Sequence, residues 1–338
     1  MAAVSVKVAT DEGATVTTTV TAAAATAAAP AEPPSSAPRY AKRRIAVRGG
    51  GASMAYVDAG DPAGDPIVFL HGNPTSSYMW RNVMPLCEGL GCRLIAPDLI
   101  GMGDSDKLDA AGAAAGAGPD RYALAEQYAY LEALLCDALG LNANVTLVCH
   151  SWGATLGAQW ASRHADAVKA FALMECAFTP FASDATPAPL LGFIRAVRSE
   201  QGEAMILQAN VMIEHAIPGG VARALSDVEL EHYRAPFKEP GEGRRAMLAF
   251  ARAIPVDGEP ADAVAMLDAG RAWLERTATP KLLVVGDPGS STTPEERDRM
   301  RAWPNVTEQT VPGKHLLTED SPDEIGAAIV AWYKALPE

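Results

Sequence analysis

The chain has 338 residues, a net charge of −13, 49% apolar residues and 20% charged residues. That length accommodates one large α/β domain with an insertion, or two domains, and the composition is that of a soluble globular protein. The negative charge argues against nucleic acid and anionic membranes as partners, and no apolar run reaches the ~18 residues of a membrane span.

Residues 1–43 are built largely of Ala, Thr, Val and Pro. Such a segment has little large apolar surface to bury and is expected to be disordered. Its few acids and the basic Lys42-Arg43-Arg44 also allow an organellar transit peptide, an idea that Asp11 and Glu12 weaken. Without one, the expected location is cytoplasmic.

From Arg44 onward strand-like and helix-like segments alternate. Residues 44–47 and 52–58 read as an opening pair of strands around Gly49-Gly50-Gly51. That triplet lacks a following Lys/Ser, so it reads as a turn and not as a phosphate loop. Further short apolar runs lie at 66–70, 92–97, 145–150, 170–174, 281–285 and 306–311. Helical patterns separate them at 80–90, 122–139, 154–164, 294–302 and 322–336. The alternation predicts a mostly parallel eight-stranded sheet with helices on both faces. It stops between residues 178 and 257, which read as an inserted helical cap with candidates at 193–197, 203–215 and 227–233. The core is then 44–177 together with 258–338.

The five cysteines are odd in number and not spaced as a zinc site or a disulfide framework. Cys136, Cys149 and Cys176 lie in apolar runs, where a reduced core thiol is expected. His164, His215 and His232 have no acid or thiol at metal-ligand spacing along the chain. Neither a metal nor a cofactor is expected.

The chemistry centres on Cys149-His150-Ser151-Trp152-Gly153. A serine between an apolar run and a helical pattern, flanked by small residues, has the form of a nucleophile elbow. A hydroxyl needs a base, and His315 follows the last apolar run. The order nucleophile, acid, histidine is that of α/β-hydrolases. Two carboxylates at strand ends compete for the acid: Glu175 and Asp287. The turn His71-Gly72-Asn73-Pro74 follows the 66–70 strand, where an oxyanion loop belongs. Its donor would be at Asn73, beside the N–H of Trp152, because Pro74 has no N–H to give. Alternation along the strand turns His150 away from the side of Ser151.

From residue 45 to its end the chain resembles the haloalkane dehalogenases, a branch of the α/β-hydrolase superfamily related to Renilla-type luciferases. The resemblance rests on the 71–78 segment beginning His71-Gly72-Asn73-Pro74 and on Asp98-Leu99-Ile100-Gly101-Met102-Gly103-Asp104-Ser105. It also rests on His150-Ser151-Trp152-Gly153, Met174-Glu175 and Glu319-Asp320-Ser321-Pro322. The cap stretch 201–219 is similar to the subfamily whose acid follows the sixth strand, which favours Glu175. The resemblance implies that the N–H groups of Asn73 and Trp152 bind a halide leaving group.

Ser151 departs from the family pattern, which has aspartate at this position. In the family the carboxylate displaces halide, and water then attacks the carbonyl of the resulting ester. A serine would form an ether, which offers water no carbonyl. The same serine suits acyl transfer, so the chain reads as an esterase-like hydrolase using Ser151, His315 and Glu175. Dehalogenation with a substituted nucleophile, or plain ligand binding, are the alternatives. A pocket lined by Trp152, Phe178, Phe181, Ile194 and Leu316 implies a small apolar substrate. A monomer is expected.

Overall fold

A computed structural model describes residues 3–9, 15–21, 34–109 and 120–337. Among the described residues, ten strands form two sheets. β1 (Ala3–Ala9) and β2 (Thr15–Thr21) pair antiparallel as a separate ladder. The main sheet holds β3 (Lys42–Val47), β4 (Ala52–Gly60), β5 (Pro66–Leu70), β6 (Arg93–Pro97), β7 (Val145–His150), β8 (Val168–Met174), β9 (Lys281–Pro288) and β10 (Val306–Gly313). Their order is β10-β9-β8-β7-β5-β6-β4-β3. Only the β3–β4 and β4–β6 pairs are antiparallel. The eight strands and the mostly parallel sheet agree with the sequence reading.

The period-two alternation explains why both faces are covered. In β5, Ile67 and Phe69 join one apolar cluster while Val68 and Leu70 join the other. In β8, Phe171 and Leu173 face one side, and Ala170, Ala172 and Met174 the other. Helices α1 (Leu124–Glu132), α2 (Trp152–Arg163) and α7 (Ala261–Arg276) pack on the face of Val68, Leu70, Phe171 and Leu173. Helix α10 (Pro322–Lys334) covers the face of Ile67, Phe69, Ala172 and Met174, through Ile325, Ile329 and Trp332. Every side chain of β7 is buried, so the segment reads as one apolar run.

Several boundaries differ from expectation. The 80–90 segment is not one helix but two tight 3-10 segments, Ser77–Trp80 and Met84–Leu90, the second with a proline in its first turn. α1 continues as a wider, π-type turn at Ala133–Ala138. The 203–215 candidate splits into two such turns, Glu203–Gln208 and Met212–Ala216, around Asn210 in a left-handed conformation. α7 is an unforeseen helix, because its Ala-rich sequence shows only a faint apolar face.

Between β8 and α7 lie α3 (Ala188–Arg198), the single turn α4 (Ile217–Gly219), α5 (Asp227–Arg234) and α6 (Arg245–Arg252). The two ends of this stretch are stitched together. Phe181 N–H donates to Pro255 O at 2.9 Å, and Asp257 N–H donates to Phe181 O at 2.9 Å. α8 (Pro294–Arg301) follows β9, and the short α9 (Leu317–Asp320) follows β10.

A buried ionic cluster ties this helical stretch to the sheet. Arg81 donates to Glu319 at 2.7 Å and to Glu229, on α5, at 3.0 Å. Arg223 bridges the same two acids, and the Tyr233 hydroxyl donates to Glu319. Asp320 accepts the N–H groups of Ala222, Arg223 and Lys314, joining the stretch to the loop that carries His315.

Parts of the amino-terminal extension are described. β-branched Val and Thr favour the extended backbone of the β1–β2 ladder, and residues 34–43 contact the core. Ser35 O accepts from Arg81 and Asn82, Ser36 O accepts from Tyr78, and β3 starts at Lys42. Residues 1–2, 10–14 and 22–33 of that extension lie outside the described residues. No helix among the described residues is long and apolar enough to cross a membrane.

Candidate active site

The chain order reverses where β5 lies between β6 and β7, and open α/β sheets bind ligands beyond the strand ends at such a point. Ser151 stands there, directly after β7 and at the start of α2. Its backbone is at φ 52° and ψ −126°, a conformation that non-glycine residues rarely adopt. The turn is pinned by Ser151 N–H donating to Met174 O at 3.2 Å and Ala154 N–H donating to Ser151 O at 2.8 Å. It is also crowded. A Cβ at Gly153 would lie 2.4 Å from Leu70 O, and one at Gly72 would lie 2.8 Å from the Ser151 Cβ. Small residues at both places let the elbow approach the 71–74 loop.

His315 lies on the loop between β10 and α9. Its Nδ1 is 2.9 Å from Ser291 Oγ and 3.5 Å from Glu175 Oε2. Glu175 directly follows β8 in a left-handed conformation, φ 45°, and is buried. Its Oε2 accepts the N–H groups of Ser290 and Ser291 at 2.9 and 2.8 Å. Asp287, the competing acid, is exposed, and among the described residues it makes no ion pair with His315.

His150, turned away from the side of Ser151 by strand alternation, packs against His315 instead. Its ring centroid is 4.7 Å from that of His315, and its Nε2 is 2.7 Å from the His315 carbonyl oxygen. A carbonyl only accepts, so Nε2 carries the proton and Nδ1 is bare. Burial, and then the neighbouring His315, hold the His150 pKa well below the usual histidine value, so the ring stays neutral. His71 is neutral in the other tautomer. Its Nε2 accepts Leu99 N–H at 3.0 Å, which leaves Nδ1 to donate to Gly72 O at 2.8 Å. Burial pushes its pKa down to about 4.

Ser151, Trp152, Asn73, Glu175 and His315 all line one cavity of about 440 Å³. Among the described residues no hydrogen bond joins the Ser151 hydroxyl to His315. The backbone N–H groups of Asn73 and Trp152 have no partner there either, which leaves both available to a bound group. The Asn73 amide nitrogen reaches Met247 O at 3.3 Å, and the Trp152 ring leans on Phe250. Phe181, Ile194 and Leu316 line the cavity as expected. Phe178 does not. It is fully buried beneath, packed against Trp303, with its N–H held by Glu296. Its neighbours on either side, Ala177 and Thr179, reach the cavity wall. Cys176 also lines the cavity, but burial pushes its thiol pKa well above the ordinary value, so it is not a thiolate nucleophile.

His215 and Ser291 line the cavity and were not foreseen. His164, read as isolated, meets Glu132 at 2.9 Å and Cys136 at 3.9 Å across two helices. Among the described residues no group of three His, Cys, Asp or Glu is arranged to hold a metal ion.

The model of the alpha/beta hydrolase fold family matches residues 65–322. A haloalkane dehalogenase from Sphingobium indicum is 50% identical over 295 residues, covering 87% of this chain and 96% of the relative. One from Mycolicibacterium smegmatis is 48% identical over 287 residues, covering 85% and 89%. The chain belongs to the haloalkane dehalogenase-like family. The crystal structure of a haloalkane dehalogenase from Bradyrhizobium elkani superposes with a TM-score of 0.80 at 36% identity, covering 88% of this chain and 98% of that one. One from Agrobacterium tumefaciens gives 0.78 at 35% identity, covering 88% and 97%.

In this dehalogenase-like chain the 98–105 motif is scaffold. Asp98 is fully buried and accepts Ser77 N–H and Asp104 N–H, both at 2.8 Å, and Lys42 Nζ at 2.7 Å. Burial alone would raise its pKa, but the Lys42 charge and these hydrogen bonds outweigh that and hold it low. The motif fixes the 71–78 loop and so the position of Asn73.

Proposed function

We propose that this hydrolase cleaves small apolar esters by acyl transfer through Ser151. The observation that carries the reading is the serine itself, presented at positive φ on the wall of the cavity that also exposes the His315–Glu175 pair. His315 Nε2 takes the Ser151 proton as the hydroxyl oxygen bonds to the ester carbonyl carbon. The N–H groups of Asn73 and Trp152 receive the oxyanion. The tetrahedral adduct expels the alcohol, which leaves with the proton from Nε2. Water, deprotonated by the same nitrogen, then releases the acid and restores Ser151. Glu175 keeps the imidazole proton on Nδ1 and offsets the charge of the imidazolium. In the free protein Ser151 and His315 are not hydrogen-bonded, and such contacts commonly tighten only in the complex. We take residues 178–257 as the cap that supplies the apolar roof.

An organophosphonate probe tests the reading. Covalent labelling of Ser151, absent in Ser151→Ala, is expected; an unlabelled folded protein refutes it.

A second reading is favoured by the relatives, which are named haloalkane dehalogenases. In it the Asn73 and Trp152 N–H groups hold a halide and Ser151 stands where a carboxylate nucleophile would act. It expects halide release from a haloalkane by Ser151→Asp and none beyond a single turnover by the native chain.

A further inference from the structure

We infer that Ser291 is a positioning residue that couples Glu175 to His315. The inference rests on reading His315 as the base and does not require Ser151 to be the group it serves.

The nearest partner of His315 Nδ1 is not the acid. Ser291 Oγ lies at 2.9 Å, within ordinary hydrogen-bond range, whereas Glu175 Oε2 lies at 3.5 Å, beyond it. That carboxylate oxygen is already occupied by the N–H groups of Ser290 and Ser291. One residue therefore touches both members of the pair, its N–H holding the acid and its hydroxyl holding the base.

The two contacts do different things. A carboxylate only accepts, so Glu175 favours the tautomer with the proton on Nδ1. A hydroxyl accepts or donates. Alone, Ser291 could donate to a bare Nδ1, which would put the ring proton on Nε2 and disable the base. The negative charge 3.5 Å away removes that freedom, and the hydroxyl then accepts from Nδ1–H. Ser291 thus fixes the plane of the ring while Glu175 fixes its proton. The His315 carbonyl, held from the other side by His150, completes the clamp.

The test is imidazole ¹⁵N–¹H correlation spectroscopy on the full labelled chain, which needs no turnover. The native protein is expected to show His315 protonated on Nδ1, with the proton protected from solvent exchange. Ser291→Ala should lose that protected resonance, and Ser291→Thr, which keeps the hydroxyl, should restore it. The amide spectrum of each variant reports its fold. A protected Nδ1–H resonance unchanged in Ser291→Ala, or a native ring protonated on Nε2, overturns the inference. If esters are turned over, Ser291→Ala should lower kcat about tenfold with KM within about twofold. Failure of phosphonate labelling would refute the ester reading and leave the spectroscopic result standing.

Discussion

The floor and the roof of the cavity are built on different principles. The floor is a set of strand ends. Asn73 follows β5, Ser151 follows β7, Glu175 follows β8, and His315 lies beyond β10. Two of these four residues have positive φ, held by a sheet whose side chains are buried on both faces. The roof is helical, interrupted by two wide turns, and is joined to the floor by the charged Arg81–Glu319–Glu229–Arg223 cluster. Polar groups that can do chemistry lie on the floor, whereas the roof offers Phe181, Phe193, Ile194 and Met212, with His215 as its one ionisable residue among the described lining. The difference separates reaction type from substrate fit.

The sharpest way to break that separation is at the floor. Ser151→Ala should lower ester turnover by at least about 10³-fold while leaving the urea midpoint nearly unchanged. A comparable loss from any roof substitution would show that the two halves are not independent.

The junction comes next. Arg81 is almost wholly buried between two acids, and Arg81→Met leaves those carboxylates short of a partner. A loss of about 3 kcal/mol in equilibrium urea unfolding is expected. A loss below about 1 kcal/mol would mean that Arg223 alone holds the roof down.

The floor also carries a pH signature. His71 is neutral in the folded protein down to about pH 4, because burial disfavours the charged ring and its Nε2 is occupied by Leu99 N–H. The unfolded chain takes up a proton near pH 6.5, so stability falls as pH drops from about 6.5 toward 4 and this contribution levels off below. The expected loss is about 3 kcal/mol, read from urea midpoints across that window. His71→Asn should flatten this part of the curve.

The smallest effect belongs to the roof. Phe181→Leu should change KM for an apolar ester by less than about tenfold, with kcat nearly unchanged. An equal fall in kcat would place this side chain in the transition state.

Much of the floor was legible in the sequence because strand-end chemistry leaves local signals. The runs 66–70 and 145–150 are the strands found, and Ser151, His315 and Asn73 follow from chain order and turn residues. The acid was open between Glu175 and Asp287 on residue type alone, since both end strands. Burial and the 3.5 Å approach to His315 separate them, and neither is visible in one dimension. Ser291 left no signal, because its role depends on two loops meeting. The Phe178 assignment failed for a related reason. Large aromatic residues are written the same way whether they line a cavity or fill the core beneath it. The 203–215 segment was harder still, because its breaks come from Asn210 and local packing and not from proline or glycine.

The tight fit at Gly72 bears on how this site can diverge. The bare backbone of Gly72 packs close to the β-carbon of position 151, whose side chain faces the cavity. Position 151 therefore acts as a socket. On the proposed ester reading, exchanging hydroxyl for carboxylate would change which bond is attacked while the elbow and the 71–74 loop keep their places. Under that proposal, one substitution at this socket would carry a lineage between carbon–halogen and ester chemistry, and its scaffold would keep no record of the crossing.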